Sequence, residues 1–501
     1  MTATRRSMLA GGAAAGVGLA VTGAVPSLAA SAASAADHRG PGHGHGHGPG
    51  HGHGHGRHRR EVTPFPPLTD DPAGLLALPA GFAYTVITRA GVTRLEDGGV
   101  TPNAHDGTAA FTVGRGRYRL IQNHELKAGS PLGVPHLRGT VYDESALDAG
   151  GCTVIETDSR GRNLGEHVAI SGTSTNCAGG PTPWGTWLTC EETEDRAGKT
   201  WSGNGKSGTY AKDHGYVFEV FHDGRTLPKP IKALGRYAHE ALAVDAAGKH
   251  VFLSEDASGP NGLFYRWTAP RGTKLGAGLA DRLADDAGVL EAMQILMPDG
   301  SVLPDVAYLT SAQLGLPFPV RWKKVPDRDA RTTSCRKQFA DGEVTRGKKF
   351  EGVWGNDHGA YVVNSYAFSD GDLPADAVPH DGMVWFYDYE AETIQLVAYF
   401  PHQKTASSGA AARYDDLTFD GPDNVTLTPW GTLVLAEDGN GASHVLSAAP
   451  YGPAQAIARN MLNDSEFTGP TFSDDGKVLF VNMQTPGLTF AITGPWEKYL
   501  G

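Results

Sequence analysis

Cysteine is scarce: there are 4 in 501 residues, at positions 152, 177, 190 and 335, and none forms a C-x-x-C pair. That is too few for a disulfide-stapled scaffold and excludes a zinc ribbon or finger. Helical periodicity is also scarce, and 67 Gly with 32 Pro argue against a bundle or coiled coil. No G-x-S-x-G elbow and no G-x-x-x-x-G-K-[ST] loop occurs, so serine-hydrolase and nucleoside-triphosphatase readings have no support. Net positive charge is absent, with 43 Lys and Arg against 55 Asp and Glu and a formal charge of −12. Residues 1–60 hold six Arg and one Asp (+5), which leaves −17 on residues 61–501. So acidic a body excludes a phosphate-backbone binder, and no nucleic-acid partner is expected. Surplus carboxylates suit cations better.

The chain opens with an address. Arg5-Arg6 precedes Ser-Met-Leu, a weakly apolar run over residues 8–28, and small residues from Ala29 to Ala36 suited to cleavage. Residues 1–36 read as a twin-arginine signal, which makes the twin-arginine export machinery a partner and the destination extracytoplasmic or secreted. The apolar run is interrupted by Gly, Thr and Pro26 and falls short of a membrane span, so no stable membrane insertion is expected after processing. Twin-arginine export carries folded proteins, a route suited to a chain that acquires a metal cofactor before crossing. Residues 37–60 follow as a His/Gly-rich linker, with 8 of the 20 His between residues 38 and 60. Alternating Gly and His bury no core, and the free imidazoles bind transition metals loosely.

No further linker divides residues 61–501, which read as one large domain. Within it, short apolar strands recur, each introduced by a Gly turn and ended by a polar or acidic residue: GRYRLIQNHE (116–125), PWGTWLTCEE (183–192), DAAGKHVFLSED (245–256), HGAYVVNSY (358–366), TPWGTLVLAEDG (428–439) and DDGKVLFVNMQ (474–484). Six such units point to an all-β fold, a six-bladed β-propeller with small helical insertions. Strand ends would then converge on one mouth of the channel, gathering Glu125, Glu191 or Glu192, Glu255 and Glu437. An irregular β-sandwich is the alternative. The apolar spacing of residues 279–296 predicts a helix inserted between blades, and residues 453–463 a second, shorter one.

Candidate chemistry is concentrated in SGTSTNCAGGPTPWGTWLTCEE (171–192). There Asn176 and Ala-Gly-Gly flank Cys177, letting the backbone approach closely and leaving a thiolate open to a metal. GRYAHEA (235–241) adds His239 and Glu240, KKFEGVWGNDHG (348–359) adds Glu351, and FDGPDNVTLTPWG (419–431) adds Asp420, Asp423 and Asn424. Oxygen-rich clusters of this kind suit Ca²⁺ or Fe³⁺, and a nearby thiolate shifts preference toward a transition metal. Cys190 is expected to face the core, while Cys152 and Cys335 are left as candidates for pairing after export.

The run TSTNCAGGPTPWGTWLTCEE, followed in order by GRYAHE, SED, FEGVW and FDGPDN, closely resembles the PhoX-type alkaline phosphatases. The likeness covers nearly all of residues 65–496. It implies twin-arginine export and a six-bladed propeller that holds a pair of ferric ions and several calcium ions, with one Cys bridging the irons. By that likeness Cys177 is the bridging ligand and Glu240, Glu351 and Asp423 are further iron ligands. Glu125, Glu191, Glu255 and Glu437 stand where calcium-binding or supporting carboxylates are expected. One departure is plain: where the family carries an Arg that grips phosphate, two residues before the Glu, this chain has Lys349. Lys is a point charge without the bidentate fork of Arg.

The expected activity is metal-assisted hydrolysis of small phosphate monoesters by a monomer, with Lys349 on the phosphate and His239 as general acid or as support for a ligand. A calcium-dependent propeller lactonase and a non-catalytic, calcium-stabilised binding propeller are the alternatives. Neither would need Cys177.

Overall fold

Short runs rich in Val, Leu, Ile and Phe between glycine turns favour strands, and the computed structural model is an all-β protein with few helices. It describes residues 63–367, 381–401, 419, 421–439 and 442–501, all within the compact unit Glu61–Gly501. The expectations for the export signal and the His/Gly linker lie outside the described residues.

The order of elements is a series of antiparallel meanders. Strands β1 (Leu68–Asp70), β2 (Leu76–Pro79) and β3 (Ala83–Arg89) come first. The first meander is β4 (His105–Gly114), β5 (Arg117–His124), β6 (Gly150–Asp158) and β7 (Asn163–Thr173). Next come β8 (Asn176–Pro181), β9 (Trp187–Glu191), a side hairpin of β10 (Thr200–Gly203) and β11 (Lys206–Thr209), and β12 (Val217–Val220). The third run is β13 (His239–Val244), β14 (His250–Glu255), β15 (Gly262–Thr268), β16 (Val289–Ile295) and β17 (Pro317–Lys324). It is followed by β18 (Arg346–Gly355), β19 (Gly359–Ala367), β20 (Asp381–Asp388) and β21 (Thr393–Phe400). Then come β22 (Pro422–Leu427), β23 (Leu433–Glu437), β24 (His444–Ala448) and β25 (Ala454–Asn460), and finally β26 (Phe467–Phe472), β27 (Val478–Met483) and β28 (Leu488–Thr493). Each repeat read from the sequence supplies the second strand of a run: β5, β9, β14, β19, β23 and β27.

Among the described residues, hydrogen bonding yields four separate larger sheets: β4–β7, β8–β9–β12, β26–β28 closed by β3, and β22–β25 extended by β2 and β1. The expectation of six discrete blades meets a difference here, because β13–β21 form one nine-stranded sheet that a β15–β18 pairing turns back on itself. The bridge is β17, whose Pro317–Pro319 segment pairs with β21 while the rest of the strand pairs with β16. The first strands nevertheless form a packed ring, in which β4 lies against β8, β8 against β13, β13 against β18, β18 against β22, β22 against β26, and β26 against β4. The arrangement is propeller-like. Apolar clusters fill the spaces between neighbouring sheets, with Trp267, Trp385, Tyr265 and Phe218 among the largest fully buried side chains.

Both predicted helices are corrected. Of residues 279–296, only α1 (Leu279–Arg282) is helical, and Val289–Ile295 is strand β16. Gly288 separates them at φ 69°, and any Cβ there would meet the Thr268 carbonyl oxygen at 2.3 Å. Residues 454–460 are strand β25, and the second helix is instead α2 (Trp496–Leu500) at the C-terminus. All four cysteines are buried and none is in a disulfide, so Cys152 and Cys335 do not pair. Cys152 donates to Asn123 Oδ1 at 3.1 Å, Cys335 faces backbone carbonyls in a different core cluster, and Cys190 packs in the core as expected.

A buried ionic network fixes the end of β9. His214 Nδ1 lies 2.7 Å from Glu191 Oε1, and its Nε2 lies 3.4 Å from Asp143 Oδ2, with all three side chains fully buried. Glu191 also accepts the N–H groups of Ser174, Gly215 and Tyr216. Burial works to lower the His214 pKa, but Glu191 and Asp143 outweigh it and lift the imidazole from its ordinary 6.5 to about 9. The stability this imidazolium contributes is therefore complete below about pH 6.5 and is withdrawn as pH rises through about 9. Urea midpoints of the wild type should fall across that window more steeply than those of His214→Phe. Parallel pH profiles for the two proteins would refute the charged network.

Candidate metal centre

The ring of first strands brings chemistry-bearing residues to one end. Asp106, Cys177, Glu240 and Asp423 are the second residues of β4, β8, β13 and β22, Glu466 directly precedes β26, and Glu351 lies within β18 at a register shift between Phe350 and Val353. Each second strand runs back antiparallel, so its last residues return to the same end. Glu125, Glu192 and Asp438, the residues immediately after β5, β9 and β23, arrive there in this way.

The ligand atoms of Asp106, Glu125 and Cys177 all lie within 4.8 Å of one another. So do those of Cys177, Glu192 and Glu240; of Glu240, Glu351 and Asp423; and of Asp423, Asp438 and Glu466. Shared members link the groups into one continuous chain, with Cys177 joining the first two groups, Glu240 the middle two and Asp423 the last two. Cys177 Sγ donates to Glu192 Oε2 at 2.9 Å, Gln484 Nε2 to Glu125 Oε2 at 2.8 Å, and Ser365 Oγ to Glu351 Oε1 at 3.0 Å. Glu240 Oε2 is buried and has no hydrogen-bond partner among the described residues. Burial above all, then Glu351, Glu192, Asp423 and Asp106, pushes the Glu240 carboxyl well above the usual range. Burial likewise raises the Cys177 thiol, and Glu125, Glu192, Glu240 and Asp106 add to it. Such a donor set holds its ionised form only when cations share it. A buried thiol among carboxylates, with an orphaned carboxylate oxygen, therefore fits a metal centre.

The structure sorts the residues expected from sequence. It brings Cys177, Glu240, Glu351, Asp423 and Glu125 together. Glu191, Glu255 and Glu437 lie outside these groups: Glu191 faces His214, Glu255 binds Arg336 and Tyr265, and Glu437 accepts from the backbone and ring of His444. The following residues, Glu192 and Asp438, occupy the groups instead, because a one-residue step along a strand reverses the face. Asp106 and Glu466 join the groups without any signal in the sequence motifs, and Asp420 lies outside the described residues. His239 is fully buried, with Nε2 3.1 Å from the Gly235 carbonyl oxygen and its ring stacked on Tyr237. Burial lowers it to about 3, so at neutral pH the ring is neutral, its one N–H is given to the Gly235 carbonyl, and it does not serve as an imidazolium acid. Lys349 reaches the acidic chain, with Nζ 2.8 Å from Glu351 Oε1 and 3.0 Å from Asp256 Oδ2.

A small cavity of about 20 Å³ lies between the first strands, lined by Gly107, Ala178, Ala241 and Gly352 among others. A Cβ on Gly107 would meet the Ala178 Cα at 2.6 Å, and one on Gly352 the Asp423 carbonyl oxygen at 2.8 Å. Glycine at these positions lets the strands approach closely enough for neighbouring ligands to share a group. A cavity of about 460 Å³, lined by Phe111, Trp354, Thr428 and Asp474 among others, opens at the opposite end of the strands.

The chain is similar to known proteins. The family described as "Alkaline phosphatase PhoX" matches residues 63–165 and 158–487. Pseudomonas fluorescens PhoX, solved in complex with vanadate, a transition state analogue, superposes with a TM-score of 0.60 at 19% identity, covering 86% of this chain and 97% of that one. TolB from Acinetobacter baumannii gives a TM-score of 0.30 at 10% identity, covering 69% of this chain and 60% of that one. The Neurospora crassa Pan2 WD40 domain gives 0.32 at 8% identity, covering 78% and 90%. No curated protein sequence matches the chain. Among the described residues, no helix is long and apolar enough to cross a membrane. The two matched segments together run from residue 63 to residue 487, and the chain belongs to the PhoX alkaline phosphatase family.

Proposed function

We propose that this chain is an exported phosphomonoesterase that hydrolyses small phosphorylated organic substrates at a multinuclear centre of Fe³⁺ and Ca²⁺. In this reading residues 61–501 form a monomeric six-bladed propeller, with β17 bridging two blades. The closed ring of first strands supports six blades. Passage through the twin-arginine machinery and removal of residues 1–36 would deliver it outside the cytoplasm.

The observation that carries the reading is the thiol of Cys177, set within a continuous chain of carboxylates at the common end of the first strands. Asp106, Glu125, Cys177, Glu192 and Glu240 would hold iron, for which a thiolate is suited, and the all-oxygen groups around Asp423, Asp438 and Glu466 would hold calcium. The bound cations supply Lewis-acid stabilisation of the charge that develops on the phosphoryl group. The chain's own residues do the rest. Lys349 presents an ammonium beside Glu351, where it orients a phosphoryl oxygen as a point charge. His239, neutral and held by Gly235, supports the start of β13 and so the placement of Glu240. The P. fluorescens protein holds vanadate, a transition state analogue, which is the kind of ligand such a site would take.

Two tests follow. Cys177→Ala should lose iron and reduce kcat on an aryl phosphate by more than about 100-fold, beyond what loss of a residue that merely orients a ligand produces, while circular dichroism stays native. Full turnover without the thiol would overturn the iron centre, and a wild type that turns over no phosphate ester would favour a calcium lactonase or a binding propeller. Glu192→Gln should lose bound metal and turnover, whereas Glu191→Gln should chiefly lower the unfolding midpoint through the His214 network. The reverse pattern would mean that the strand faces are misassigned.

A further inference from the structure

The residue that directly follows a second strand reaches the acidic chain after β5, β9 and β23, as Glu125, Glu192 and Asp438. After β14 the equivalent residue is Asp256. It belongs to none of the metal-sized groups, and instead Asp256 Oδ2 lies 3.0 Å from Lys349 Nζ, its side chain 8% exposed. The lysine is held at its base as well. Its φ of 61° is left-handed inside a strand, a conformation costly for a side chain with a Cβ. The amide of Asn364 bonds the Lys348 and Lys349 carbonyl oxygens, clamping the backbone in that turn. The ammonium also lies 5.4 Å from the centre of the Tyr366 ring. Asp256 and Glu351 thus stand at two ends of one bridge: Glu351 belongs to the acidic chain, and Asp256 draws the lysine toward the neighbouring strand.

We infer that Asp256 is a positioning residue, which fixes the Lys349 ammonium where it meets a phosphoryl oxygen. The inference rests on the phosphomonoesterase reading. A lysine stem carries much rotamer freedom, and a point charge without the planar fork of Arg depends on a second group to aim it. A buried carboxylate supplies that aim, and in its absence Glu351 would draw the ammonium away from that position.

The experiment is a double-mutant cycle on the full chain with Asp256→Asn, Lys349→Ala and the pair. Three quantities are read: inorganic phosphate binding by calorimetry, KM and kcat on an aryl phosphate, and metal content. Asp256→Asn should weaken phosphate binding by about tenfold and raise KM more than it lowers kcat, consistent with misaiming one charge-assisted contact. Metal content should equal that of the wild type. The double variant should be no worse than Lys349→Ala, and Asp256→Glu should restore most of the binding. Tighter or unchanged phosphate binding in Asp256→Asn would overturn the inference and make Asp256 a counter-ion only. Additive losses in the double variant would overturn it equally. Should Asp256→Asn lose its native circular dichroism, the same cycle with Asp256→Ser decides. A wild type that neither binds phosphate nor turns over the ester defeats the phosphomonoesterase reading as well, an outcome distinct from an active wild type indifferent to Asp256.

Discussion

Mutual repulsion among buried acids is the constraint on which this molecule turns. Glu240 shares its surroundings with Glu351, Glu192 and Asp423, and Cys177 with Glu125, Glu192 and Asp106, at one end of a closed ring of strands. Taking so many potential anions out of water is strongly unfavourable unless cations join them or protons neutralise them. Bound metals would therefore stabilise the folded arrangement, since cations offset the charge that the strands bring together. The organisation of the fold follows: first strands begin at the centre, second strands end there, and small residues just below let neighbours share ligands.

Much of this can be read from the sequence, with errors of a definite kind. The six repeated units locate β5, β9, β14, β19, β23 and β27, because alternating apolar residues between glycine turns have one stable solution. Glu191 (or Glu192), Glu255 and Glu437 read from sequence as calcium-binding or supporting acids; Glu191, Glu255 and Glu437 each end a strand and bond protein groups instead. The residues that face the centre, or the lysine beside it, come one position later. In Glu191-Glu192, Glu255-Asp256 and Glu437-Asp438 the doubled acid is visible, but which member faces inward is set by strand register, which a single sequence does not display. Asp106 and Glu466 carry no such doubling, and only the packing of β4 against β26 reveals them.

The misreading of residues 279–296 as a helix has a related cause. Spacing of three and four apolar positions also occurs where a helical turn runs into a strand, and Gly288 at positive φ is the point of change. Lys349 shows the opposite case. Its departure from the family pattern is legible, but its support by Asp256 and Asn364 depends on strand pairing and on the left-handed backbone at Lys349, which the sequence does not mark.

Diffraction from crystals of the purified protein, collected at the iron absorption edge, locates iron atom by atom and ignores whatever metal the His/Gly linker binds. The account predicts an anomalous peak within bonding distance of Cys177 Sγ, flanked by Asp106, Glu125, Glu192 and Glu240. No iron at Cys177, with the thiol still donating to Glu192 and the acids protonated against one another, would contradict it.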